Sequence, residues 1–169
     1  DGTSTVTKTA NVSGDAWTLT GSEADISSLK NGAITVTANV SDAHGNAAPA
    51  ATRTITLDTV VPTITIDGTL EGDNRVNSSA EGTVVVAGTS AGLASGATVA
   101  VSVAATSGTT VTANASTNLD GSWSVTMGTI DGLADGILTI TANGSDAAGN
   151  ATATATTTSP NAVLISTSA

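Results

Sequence analysis

The 169-residue chain has no cysteine, no phenylalanine and no tyrosine, and it holds one histidine, one methionine and two tryptophans. Missing cysteine excludes disulfides, thiol catalysis and cysteine-bound zinc. A single histidine leaves too few imidazoles for a zinc site or for a Ser-His-Asp centre carried by each of two repeats. Basic residues are equally scarce, with four Lys and Arg against fourteen Asp and Glu and a formal net charge of −10. A chain this acidic is repelled by phosphate backbones and anionic membranes, so no nucleic acid is expected as partner. No stretch approaches the roughly 18 apolar residues of a membrane span, and no basic-then-apolar leader opens the sequence, so direct membrane insertion is not expected. The expected protein is not an enzyme.

What the chain does contain is threonine, alanine and 18 glycines, with only 11% charged residues. Threonine is β-branched and favours strands. Internal repetition is the strongest signal. Thr37–Ala47 reads Thr-Ala-Asn-Val-Ser-Asp-Ala-His-Gly-Asn-Ala, and Thr141–Ala151 repeats nine of those eleven residues at an offset of 104. Leu29 and Leu133, and Gly32 and Gly136, keep that offset, while Trp17 and Trp123 differ by 106. A period of about 104 residues has the size of one small domain, which implies tandem domains.

Within one period, apolar residues alternate with Thr or Ser, the two-residue rhythm of half-buried antiparallel strands. Seven runs are predicted in the complete repeat: A at 63–67, B at 83–88, C at 97–104, D at 109–115, E at 122–127, F at 136–143 and G at 150–157. Trp17 and Trp123 alternate with Leu19 and with Val125 and Met127, so both are expected in a core. Turn signals such as Asp120-Gly121 and Ala148-Gly149-Asn150 separate the runs. The fold class is therefore all-β, tandem immunoglobulin-like sandwiches of seven antiparallel strands in Greek-key order. Residues 1–57 correspond to strands D to G of a first, incomplete repeat, 58–158 to a complete second repeat, and 159–169 to a linker or the start of a following segment.

The blocks Leu57-Asp58-Thr59-Val60-Val61-Pro62-Thr63, Gly72-Asp73-Asn74-Arg75-Val76-Asn77, Leu119-Asp120-Gly121-Ser122-Trp123, Leu133-Ala134-Asp135-Gly136 and Ser145-Asp146-Ala147-Ala148-Gly149-Asn150 together resemble the bacterial Ig-like extender repeats of giant RTX adhesins secreted by type I systems. The resemblance implies an extracellular stalk at the bacterial cell surface, stiffened by Ca²⁺, with neighbouring repeats of the same polypeptide as partners and a distal ligand bound by other domains.

In a seven-strand sandwich the B–C, D–E and F–G loops share the end where strand A begins. Asp120 and Asp146 fall in such loops, Asp58 lies in the joint beside them, and Glu23 and Asp25 belong to the E–F loop of the preceding repeat. Carboxylates gathered with few cations nearby repel one another unless a cation sits among them, and Ca²⁺ takes six to eight hard oxygens. An interdomain Ca²⁺ site built from Asp58, Asp120 and Asp146, with Asp25 or Glu23, is the sharper expectation. The blander one is that these residues cap turns. Asp67, Asp73, Asn74, Asn77 and Glu81 in a long A–B loop, with Asp131 and Asp135, form either a second Ca²⁺ site or a solvated acidic loop. The alternative function is an Ig-like module that itself binds carbohydrate or a host surface protein, for which exposed aromatic or arginine anchors are needed.

Overall fold

The computed structural model describes residues 4–19, 24–68, 75–77, 84–106, 109–128, 130, 133–134, 136–157 and 164–166. The chain divides into two units, Asp1–Thr59 and Val60–Ala169.

In the second unit the strands are β5 (Thr63–Ile66), β6 (Arg75–Asn77), β7 (Val85–Ala91), β8 (Thr98–Ala105), β9 (Thr110–Ser116), β10 (Ser122–Thr126), β11 (Gly136–Gly144), β12 (Ala155–Thr157) and β13 (Leu164–Ser166), preceded in the first unit by β1 (Val12–Ser13), β2 (Ala16–Trp17), β3 (Gly32–Ala38) and β4 (Ala51–Leu57). Two sheets make the sandwich. One has the order β10-β7-β5, the other β6-β13-β11-β8-β9 with β12 also on β11. All pairings are antiparallel except β13 with β6.

The two-residue rhythm decides which side chains go inside. Val99, Val101 and Val103 of β8 are buried against Leu138, Ile140 and Ala142 of β11, and Val84, Val86, Trp123 and Met127 face them from the other sheet. Along these strands the branched and aromatic residues mostly face inward and Thr, Ser and Asn outward, with Val85 and Ile137 as exposed exceptions. Burying a side chain of that size contributes about 1.5–3 kcal/mol. Chain continuity explains sheet membership: β9 follows β8 after a very short connection and pairs with it from Thr98↔Ser116 to Ala104↔Thr110.

Most predicted strands lie within one or two residues of those observed. Strand G is much shorter, because Asn150–Thr152 closes the preceding loop: Ser145 bridges Ala151, and the Thr152 N–H bonds to Gly144 O at 2.8 Å. Two strands were not expected. Arg75–Asn77 and Leu164–Ser166 pair with each other in parallel, and β13 also takes up the first residues of β11, Gly136↔Ile165 and Ile137↔Leu164. Leu164–Ser166, within the stretch 159–169 expected to be a linker or the start of a following segment, thus pairs with strands of the second unit.

The first unit contains two hairpins, β1–β2 and β3–β4. None of its described residues is buried. Trp17, expected in a core, is 55% exposed, whereas Trp123 is 1% exposed. Trp123 pairs with Gly88 of β7 and lies in the core of the sandwich, whereas the described residues of the first unit form two hairpins with no buried residue to pack on.

Candidate functional site

The end of the second sandwich at which β5 begins is built from three loops. Residues 92–97 link β7 to β8, residues 117–121 link β9 to β10, and residues 145–154 link β11 to β12. Thr117, 3% exposed, ties the first two together: its N–H bonds to Ala97 O at 3.0 Å and its hydroxyl to Ala94 O at 2.5 Å, while the Gly96 N–H bonds to Thr117 O at 2.8 Å. Thr152 anchors the third loop, its hydroxyl accepting the Gly144 N–H at 3.0 Å. The hydroxyl and N–H of Ser90, opposite Ile64 of β5, both bond to Gly121 O. Asp120 and Asp146 therefore share the end at which the chain enters this unit, as the strand order predicts.

Each carboxylate is engaged in its own loop. Asp146 Oδ1 accepts the N–H groups of Ala148 at 2.9 Å and Asn150 at 2.8 Å, and Oδ2 accepts the Asn150 side-chain amide at 2.9 Å. These bonds favour the ionised form, so the Asp146 carboxyl sits below the usual aspartate range, chiefly through the Asn150 amide. Gly149 carries the positive φ of 92° that closes the turn, with its N–H bonded to Asp146 O. The first unit repeats the arrangement. Asp42 Oδ1 accepts His44 N–H and Asn46 N–H, both at 2.9 Å, Oδ2 accepts the Asn46 amide at 2.7 Å, and Gly45 has a φ of 89°. His44 replaces Ala148 without altering a bond, since only its backbone takes part.

Asp120 Oδ1 accepts the N–H of Ser122 at 3.0 Å and its hydroxyl at 2.7 Å, which lowers the Asp120 carboxyl through the hydroxyl first and the N–H second. Asp120 Oδ2 has no hydrogen-bond partner among the described residues. Asp25 Oδ1 accepts Ser27 N–H at 2.9 Å, and its carboxyl too is lowered, chiefly by that bond. It precedes the turn Ile26–Leu29, whose counterpart Ile130–Leu133 closes by the same N–H to O bond.

Asp58 follows β4 directly. Its neighbour Thr59 is tied back to Asn31, just before β3, whose side-chain oxygen accepts both the Thr59 N–H at 3.2 Å and its hydroxyl at 2.9 Å. Glu23 lies outside the described residues, as do Asp73, Asn74, Glu81, Asp131 and Asp135 of the second predicted cluster. Asn77 is not in a loop but in β6, and Asp67, just past β5, gives its N–H to Ala87 O of β7, the neighbouring strand of the same sheet. Among the described residues no three Asp, Glu or His side chains come together closely enough to hold a metal ion. The hard oxygens of Asp120 and Asp146 suit Ca²⁺, but two carboxylates fall well short of its six to eight ligands. Each of these aspartates, three residues before its glycine or two before its serine, serves its own turn, as the turn-capping alternative expects.

Strand order and loop design define this protein as one made of tandem immunoglobulin-like sandwiches. Among solved structures, a tetra-tandem repeat from the extending region of a large adhesion protein is 36% identical over 88% of this chain, with a TM-score of 0.52. The chain spans 37% of that structure. A bacterial immunoglobulin-like domain from the M. primoryensis ice-binding adhesin is 32% identical, aligned over 63% of this chain and 98% of that domain, with a TM-score of 0.43. No protein-family model and no curated protein sequence matches. The chain belongs to the bacterial immunoglobulin-like repeats of large adhesion proteins.

Proposed function

We propose that this chain is a structural extender segment of a secreted bacterial cell-surface adhesin, whose repeats hold a distal adhesive domain away from the cell. The observation that carries this reading is the polarity of the second unit. Its chain enters at β5, beside the loops of Asp120 and Asp146, and its last described strand, β13, lies against the first residues of β11, at the opposite end. A domain with entry and exit at opposite ends adds its own length each time it is repeated. Of the two tryptophans that could anchor a ligand, Trp123 is internal, and only Trp17 is exposed.

Ca²⁺ at the joint is the second part of the proposal. Asp120 and Asp146 supply oxygens at the entry end, and Asp58, in the five residues between β4 and β5, with Asp25 and Glu23 of the preceding repeat, would supply others. The bound ion would exchange mutual repulsion of carboxylates for a stiff joint. Small-angle scattering on arrays of two, three and four repeats, with Ca²⁺ and with chelator, tests both parts. A maximum dimension that rises by a constant increment per repeat supports the extender, and one that fails to rise overturns it. Chelation that changes neither dimension nor melting temperature overturns the metal. Specific binding to a glycan array by this chain would favour the alternative module.

A further inference from the structure

Two asparagines of this chain stand directly before a glycine, Asn31 and Asn143. An asparagine so placed is chemically vulnerable, because a glycine with no side chain lets its amide nitrogen approach the asparagine side-chain carbonyl. The sequence marks both pairs alike, and the structure separates them.

Asn143 and Gly144 end β11, which is paired with β8 through Gly144↔Val99. The Gly144 N–H is donated to the Thr152 hydroxyl at 3.0 Å. A Cβ on Gly144 would lie 3.0 Å from Thr98 O and 3.3 Å from Leu93 Cδ1, so the position is also crowded. Asn31, in contrast, immediately precedes β3, and Gly32 opens that strand opposite Leu57 at the end of a two-stranded hairpin. Both residues are exposed, and beyond the adjoining residues no atom lies within 4 Å of where a Cβ on Gly32 would stand. Gly32 has a φ of 126°, so the fold itself favours a glycine after Asn31. Thr59 completes the arrangement. Its N–H at 3.2 Å and its hydroxyl at 2.9 Å both point at Asn31 Oδ1, the oxygen on which negative charge develops when Cγ is attacked.

We propose that Asn31–Gly32 is a site of spontaneous deamidation, promoted by Thr59, and that the reaction releases Thr59 from the start of β3. The Gly32 amide nitrogen attacks Asn31 Cγ. A C–N bond forms, the Cγ–Nδ2 bond breaks, and the amide proton leaves with the side-chain nitrogen as ammonia. Water then opens the succinimide at either carbonyl. One opening gives aspartate at position 31, which is what the second repeat carries at the same offset as Asp135, before Gly136. The other gives isoaspartate, in which the old side-chain carbonyl becomes main chain and the free carboxylate sits on Cα, so the acceptor for Thr59 is lost. Either product adds a negative charge beside the residue that follows Asp58.

The full chain, folded and in urea, is held at mildly alkaline pH, and its peptides are followed by mass spectrometry for the change of amide to acid. In urea the two asparagines convert alike. In the folded chain Asn31 converts at least about tenfold faster than Asn143, which must first give up a hydrogen bond and its strand pairing. Thr59→Val, with melting curves showing that it stays folded, slows Asn31 at least about threefold in the folded chain and not in urea. The Thr59 amide loses hydrogen-exchange protection in the isoaspartyl product. Conversion of Asn143 as fast as Asn31 in the folded chain, or an inert Asn31 while the urea sample reacts, overturns the site. An unchanged rate in Thr59→Val overturns the part given to Thr59, and a Thr59 amide still protected in the isoaspartyl chain overturns its release.

Discussion

The indole of Trp123 lies over the bare Cα of Gly88, its cross-strand partner in β7. A methyl group on Gly88 would come within 2.5 Å of the ring and would also collide with the Thr65 carbonyl on the other side. The only fully buried aromatic of the sandwich therefore depends on a residue with no side chain, in the central strand of the smaller sheet.

Gly88→Ala is expected to cost about 3 kcal/mol, at the upper end of overpacking, because a backbone carbonyl as well as the ring must move. The urea midpoint should fall with little change in slope. A variant as stable as the parent would show that the indole does not rest on Gly88.

Trp123 Nε1 is buried without a hydrogen-bond partner among the described residues. Trp123→Phe removes that unpaired donor along with part of the ring, so it should cost distinctly less than Trp123→Ala, for which about 3–5 kcal/mol is expected. Chemical denaturation of the two variants gives the comparison.

The two tryptophans should report separately. In Trp17→Phe the remaining emission, from Trp123, should be blue-shifted and resist acrylamide, whereas in Trp123→Phe, if folded, Trp17 should emit at long wavelength and quench readily. Similar quenching in both variants would contradict the 55% and 1% exposures.

Acid should loosen the loops of Asp42 and Asp146 in parallel. Both carboxyls are lowered in the fold, so the folded chain binds fewer protons than the unfolded one near the usual aspartate value, about 3.9. Their contribution is complete above that value and is lost as pH falls through the lowered one. Carboxyl titration by NMR should place both below ordinary aspartate. Asn46→Ala and Asn150→Ala should each raise the carboxyl of their own loop only.

Asp120→Asn separates the turn from the metal. The amide keeps an oxygen for Ser122 and loses the charge, so the chelated variant should melt close to the parent while gaining less from added Ca²⁺. An undiminished gain would remove Asp120 from the proposed Ca²⁺ ligands.

Much of this was legible in the sequence because it is local or periodic. Alternation placed Val99, Val101, Val103, Leu138, Ile140 and Trp123 inside, and the offset of 104 foretold that Ser41–Ala47 and Ser145–Ala151 fold alike down to each hydrogen bond. What escaped was long-range or competitive. The parallel pairing of Arg75–Asn77 with Leu164–Ser166 joins two three-residue strands too short to show a rhythm. Trp17 and Trp123 share a local pattern and differ only in whether a second sheet covers them. The aspartates were visible as charge, but a carboxylate two residues before a serine, or four before an asparagine, has a nearby partner that composition does not weigh against a distant ion.

The placement of the first and last strands has a mechanical consequence. β5 belongs to one sheet and β12 with β13 to the other; β5 lies antiparallel to β7, and β12 and β13 antiparallel to β11, along the direction in which the chain is drawn through the domain. A pull on the two ends would load the hydrogen bonds of β5 with β7, and of β12 and β13 with β11, sideways and together, so the sandwich should yield under force as a single event and not by unzipping one bond at a time.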